Sequence, residues 1–217
     1  MNATTATMTD AVRASGLERS VMPQPAVRAA YADPPYLGCG VKHYGTRHDQ
    51  AAEYDDPEAH RRLIERLCDE FDCWALSLHE PSLRTLLAMC PTDVRVGSWV
   101  KPFAAFKANV TRAWTWEPVI FRFSDQRPRA RTQPTWRDHV AEPIAMRRGF
   151  PGAKPEKVCF WIFDGLNLRA DDEMHDLFPG SGAVGEAWEK WRHRVNLPEP
   201  MQMLLCAGGE IPGIAEA

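Results

Sequence analysis

Two short stretches carry residue types that could do chemistry together. The first is Asp33-Pro34-Pro35-Tyr36, where an apolar run over 27–32 stops at an acid, two prolines and an aromatic ring. Proline fixes φ and has no N–H, so two in succession leave the preceding carbonyls without local partners. A carboxylate, carbonyl oxygens and an aromatic face at one strand end suit a planar group bearing an NH2. The oxygens take its protons and Tyr36 stacks on it.

The second stretch is Asp176-Leu177-Phe178-Pro179-Gly180-Ser181-Gly182, ahead of a helical pattern through Trp188 and Trp191. Strand, Gly-x-Gly turn and helix form a device that cradles a nucleotide. The glycines let backbone N–H groups and the helix N-terminus approach a ligand closely. No Walker lysine follows, and the reading is of a site for neither ATP nor NAD.

These stretches need a scaffold. Asp55 or Asp56 offers a cap to a helix over 57–71, with Pro57 in its first turn and Leu63, Ile64, Leu67 and Phe71 on one face. Strands follow over 73–78 and 94–100, with a helix over 82–90 between them. This β-α-β-α-β rhythm predicts a parallel sheet with helices on both faces. Ligands bind such sheets outside the carboxyl ends of the strands, where Asp33 and His79 fall. The second half of 114–123 reads as a strand, 124–136 as a mobile Arg-rich loop, and 156–166 as a helix after Lys154-Pro155. Residues 1–22 read as a loose tail with a short helix over 10–17, and 23–217 as one domain.

The chain has 217 residues, a net charge of −3 and 44% hydrophobic residues, which suits a globular protein. The charge is uneven, with twelve Lys/Arg against five Asp/Glu between 101 and 157. That surplus sits among Trp99, Trp114, Trp116 and Trp136, a combination that suits a surface holding phosphates and stacking bases. Lys101, Lys107, Arg127, Arg129, Arg131 and Trp136 are the expected nucleic-acid contacts within a region spanning 101–148. Six scattered cysteines form no C-x-x-C pair and read as reduced thiols, which favours the cytoplasm. No apolar run approaches membrane-spanning length.

Asp-Pro-Pro-Tyr at 33–36, with Asp-Leu-Phe-Pro-Gly-Ser-Gly at 176–182, resembles the S-adenosylmethionine-dependent amino-methyltransferases of DNA. The order matches the permuted kind, in which the catalytic motif precedes the cofactor motif. Lys154-Pro155 is similar to that family's preceding cofactor-side motif. Trp-Val-Lys-Pro-Phe and Trp-Glu-Pro-Val-Ile are similar to segments of short, phage-type methylase-like proteins. The resemblance implies a Rossmann-like α/β fold, mostly parallel, and methyl transfer to an exocyclic amine of a DNA base. Asp33, Pro34, Pro35 and Tyr36 would then be catalytic. Asp176, Phe178, Gly180, Ser181, Gly182 and Lys154 would hold S-adenosylmethionine. Asp before Pro-Pro-Tyr leans toward adenine N6; cytosine N4, RNA, a nucleotide or a protein amide stay open, as does a non-catalytic DNA-binding role. The family's ribose-binding acid would fall on Glu199 or Glu210, near a candidate strand over 201–206. The oligomeric state is open, a homodimer among the options.

Overall fold

The computed structural model describes residues 25–41, 51–102, 110–144, 146–147, 150–151 and 153–196. The expected features at 1–24, Lys107, Glu199, Glu210 and 201–206 lie outside them.

Six strands form one sheet: β1 Arg28–Ala32, β2 Cys73–Ser77, β3 Val94–Val100, β4 Trp116–Arg122, β5 His139–Ala141 and β8 Glu173–Asp176. Their order across it is β5-β3-β4-β2-β1-β8. A separate small ladder pairs β6 Met146–Arg147 with β7 Phe150–Pro151. β1 lies parallel to both β2 and β8, and β3 lies parallel to β5. β4 runs antiparallel to both its neighbours, β2 and β3. Five strands of the sheet therefore share one direction and only β4 opposes them.

The parallel sheet expected from the β-α-β-α-β rhythm is interrupted by one antiparallel strand, β4, set between β2 and β3. β4 separates them because Val119 and Phe121 pack into the core on one face and Ile120 into the core on the other. A strand apolar on both faces belongs in the middle of a covered sheet.

Alternation along β1 divides the core in the same way. Ala29 and Tyr31 face a cluster built on α3 (Glu156–Gly165) and α4 (Ala183–Val195), whereas Ala30 and Ala32 face α1 (Pro57–Glu70). Successive side chains of a strand point to opposite faces, so one pentapeptide serves both layers. α1 starts at Asp56, whose side chain accepts from the Glu58 N–H at 3.0 Å, and buries Leu63, Ile64 and Leu67. The helix expected over 82–90 is shorter, a 3-10 turn Glu80–Ser82 running into α2 Leu83–Leu87.

The segment 124–136, expected to be a mobile loop, is tied down. Arg127 is 3% exposed, and its guanidinium donates to Asp172 at 2.6 Å and to the Pro25 carbonyl at 3.0 Å. Asp172 in turn accepts from the backbone N–H of Val27 and of Arg169. This buried pair clamps the entry points of β1 and β8 and so supports their shared register. Arg127 is therefore not a nucleic-acid contact; an Arg with a fully buried partner serves the fold. Trp136 is half-buried. It stacks on Trp161 at 5.6 Å, meets Phe121 edge-on and donates its indole N–H to the Trp161 carbonyl.

Candidate active site

The parallel pairing of β1 and β8 decides the geometry of the site. Tyr31 is in register with Asp176, and the Leu177 N–H donates to the Tyr31 carbonyl at 3.0 Å. Asp33, two residues beyond Tyr31, thus leaves the same edge of the sheet as Asp176. Both acids of the two motifs stand at the carboxyl ends of adjacent strands.

Around Asp33 the chain builds a compact ionic cluster. The Lys154 ammonium lies 3.0 Å from Asp33 Oδ1, 3.2 Å from the Tyr36 hydroxyl and 3.3 Å from Glu117 Oε2. Tyr36 donates its hydroxyl to Glu117 at 3.0 Å, with Asp33 Oδ1 farther off at 3.4 Å. The other oxygen of Glu117 pairs with Lys101. Lys101 and Lys154 both lie over the Trp99 ring. His79, just past β2, stacks on Tyr36 at 5.3 Å with the planes 16° apart. The loop after Tyr36 is held in place by Asp55, which accepts from the N–H groups of Gly40 and Val41.

The protonation states follow from this crowding. Burial raises the Asp33 pKa and Glu117 adds to the rise, while Lys154 opposes both. For Glu117, burial acts upward, but Lys154 and Lys101 outweigh it and hold the carboxyl below its ordinary range. Burial works against the charge of Lys154 too, yet Asp33, Tyr31 and Glu117 keep its pKa well above the usual value. Burial holds His79 below the usual imidazole range.

Asp176 is served differently. Its Oδ1 accepts from the Phe178 N–H at 3.2 Å, but its buried Oδ2 has no hydrogen-bond partner among the described residues. Burial pushes its pKa up to about 6, with a further upward contribution from Asp33. A buried acceptor without a donor costs free energy, which a ligand hydroxyl or amine would recover. The turn beyond it has Gly180 at φ +45° and Gly182 at φ +74°, the left-handed region that glycine enters without a Cβ penalty. A Cβ at Gly182 would meet nothing within 4 Å. Gly182 caps α4, whose first turn begins at Ala183. An unpartnered carboxylate oxygen, an open glycine turn and a helix N-terminus together fit a polar ligand such as a nucleoside derivative. Gly185 completes a G-x-G-x-x-G spacing with Gly180 and Gly182, so spacing alone does not exclude a dinucleotide.

Of the residues expected to act, Asp33 and Tyr36 come together, and Asp176, Phe178, Gly180, Ser181 and Gly182 form one continuous turn. Lys154, expected beside the cofactor motif, stands with Asp33, and Lys101 joins it through Glu117 rather than facing outward. Arg131 is exposed, and so is Arg129, which bonds the carbonyls of Pro134 and Asp164. Glu117 was not singled out by sequence reasoning. Its sequence signals are its place in the Trp-Glu-Pro-Val-Ile segment that carries part of the resemblance and its being the one acid of β4.

No family model and no curated protein matches the chain. Among solved structures, a complex of M1.HpyAVI with SAM aligns at a TM-score of 0.50 and 15% identity, over 77% of this chain and 79% of that one. M1.HpyAVI alone aligns at 0.47 and 15% identity, over 78% of this chain and 79% of that one. TTHA0409 from Thermus thermophilus aligns at 0.45 and 13% identity, over 79% of each. The likeness to the first establishes the fold, a Rossmann-like methyltransferase fold with a mixed, mostly parallel sheet.

Proposed function

We propose that the protein transfers a methyl group from S-adenosylmethionine to an exocyclic amine of a DNA base, adenine N6 in the first instance. The observation that carries this reading is that Asp33, just past β1, and Asp176, at the end of β8, stand at the carboxyl ends of adjacent parallel strands. The motifs they belong to resemble those of DNA amino-methyltransferases, and a protein of the same fold has been solved as a SAM complex.

Asp176, Phe178, Gly180, Ser181 and Gly182 would hold the cofactor, and the partnerless Asp176 Oδ2 suits a ribose or amino donor. When bound, S-adenosylmethionine supplies an electrophilic methyl on a sulfonium sulfur. Asp33 and the Pro34 carbonyl would accept the amine's protons, which orients the nitrogen lone pair. Tyr36 would receive the flipped base on the stack it already forms with His79. Trp114, exposed just ahead of the β4 entry on the Asp33 edge of the sheet, is a group available to DNA there, whereas Arg131 is exposed on the segment anchored at the opposite edge.

The test supplies the full chain with methyl-labelled S-adenosylmethionine and duplex DNA, then digests the DNA to nucleosides. Label in N6-methyladenine is the expected result. Label in cytosine N4, RNA or protein would keep the chemistry and replace the substrate. No label in any acceptor overturns the reading.

A further inference from the structure

The Asp33 carboxylate does not stand alone, and two residues of its cluster, Lys154 and Glu117, have no part in the scheme above. Lys154 is 5% exposed at its side chain, Glu117 16% and Asp33 23%. An ammonium has three N–H donors, and Lys154 has three acceptors within 3.3 Å: Asp33, Tyr36 and Glu117. Its donors are thus fully used. So is its charge, divided between two carboxylates that reach it from different elements, Asp33 after β1 and Glu117 on β4. An ammonium held in this way cannot act as a base, which excludes the commonest catalytic use of a buried lysine.

We infer that Lys154 and Glu117 are a pair of positioning residues that set the ionisation of Asp33, Lys154 fixing its Oδ1 as a carboxylate and Glu117 limiting how strongly that ammonium is committed to it. The inference rests on the proposed role of Asp33 as acceptor for an amine. A carboxylate too tightly neutralised is a poor acceptor, and a protonated one can no longer accept through both oxygens. Glu117 shares Lys154 between two partners, and Lys101 keeps Glu117 itself ionised.

The other groups facing this cluster are few. Tyr31 on β1 and Cys159 on α3 carry protons that burial retains, since both have raised pKa values. Asp176 on β8 interacts with Asp33 across the strand pair. His79, which burial holds below the usual imidazole range, stacks on the Tyr36 ring and also interacts electrostatically with Glu117. Lys154 and Glu117 are therefore the two charges to vary.

The experiment follows the side-chain carboxyl 13C resonance of Asp33 through a pH titration of the ligand-free full chain. Lys154→Met should move the Asp33 midpoint to higher pH, Lys154→Arg should leave it near wild type, and Glu117→Gln should move it to lower pH. Opposite movements are the signature of charge control, because a loss of packing would move both variants the same way. Midpoints that stay put, or that move together, overturn the inference. If Lys154→Met does not fold, Glu117→Gln decides alone: a lower midpoint supports the pair and an unchanged one refutes it. The readout needs no turnover, so opposite movements in a protein that transfers no methyl group would leave the pair standing and remove the methyltransferase reading.

Discussion

Asp33 and Asp176 end neighbouring parallel strands, yet their surroundings differ in kind. Asp33 meets an ammonium, a phenol and a second carboxylate, all supplied by the chain. Among the described residues Asp176 has one backbone N–H and a buried oxygen with no partner. The first is assembled in advance and asks only for a substrate to displace solvent from its exposed side. The second carries an unmet hydrogen bond, the condition in which a binding site gains most from its ligand. Under the proposed function this difference would give the two acids different work, Asp33 on the acceptor and Asp176 on the donor.

The largest expected effect breaks the first half of this division. Asp33→Ala should lower the methylation rate at least about a hundredfold, the scale of losing one preorganised hydrogen-bonding group at a reacting centre, as read by label incorporated into DNA. Next comes the clamp that sets the two strands side by side. Arg127→Met leaves Asp172 buried without its counter-charge, and removing one partner of such a pair costs about 3–5 kcal/mol in urea melts. Because Arg127 is buried, the salt dependence of DNA binding should not change.

The Asp176 side is smaller and depends on pH. Its folded pKa of about 6 lies above the ordinary 3.8. The folded state therefore binds the proton more tightly, and its stabilisation is complete below pH 3.8 and lost as pH rises through about 6. Asp176→Asn lacks this dependence, so the variant should gain stability relative to wild type across that window and hold a constant difference above it. Urea melts at a series of pH values read this directly. The smallest effect is at the turn: Gly182→Ala at φ +74° should cost about 1 kcal/mol of stability and weaken cofactor binding.

Both ends of this comparison are legible in the sequence because each is a local signal. Asp-Pro-Pro-Tyr stops a strand and Pro-Gly-Ser-Gly starts a helix within a few residues, and the helix over 57–70 shows in its own cap and periodicity. What joins the ends is not local. Glu117 reaches Tyr36 and Lys154 only because β4 enters the sheet antiparallel beside β2, and nothing near Glu117 announces that pairing. Arg127 misleads for the related reason that charge density along the chain does not reveal burial, and the packing of half-buried Trp136 is equally hidden. Trp136 fits against Gly165, where a Cβ would come within 2.8 Å of its ring, and a contact between residues so far apart leaves no trace in spacing.

The division of labour between the two acids is tested most directly by calorimetry with S-adenosylmethionine on two variants. Asp33→Ala should bind the cofactor as wild type does, and Asp176→Ala should bind it about tenfold or more weakly, the cost of an unmade buried hydrogen bond. Equal weakening in both, or weakening confined to Asp33→Ala, would contradict the account.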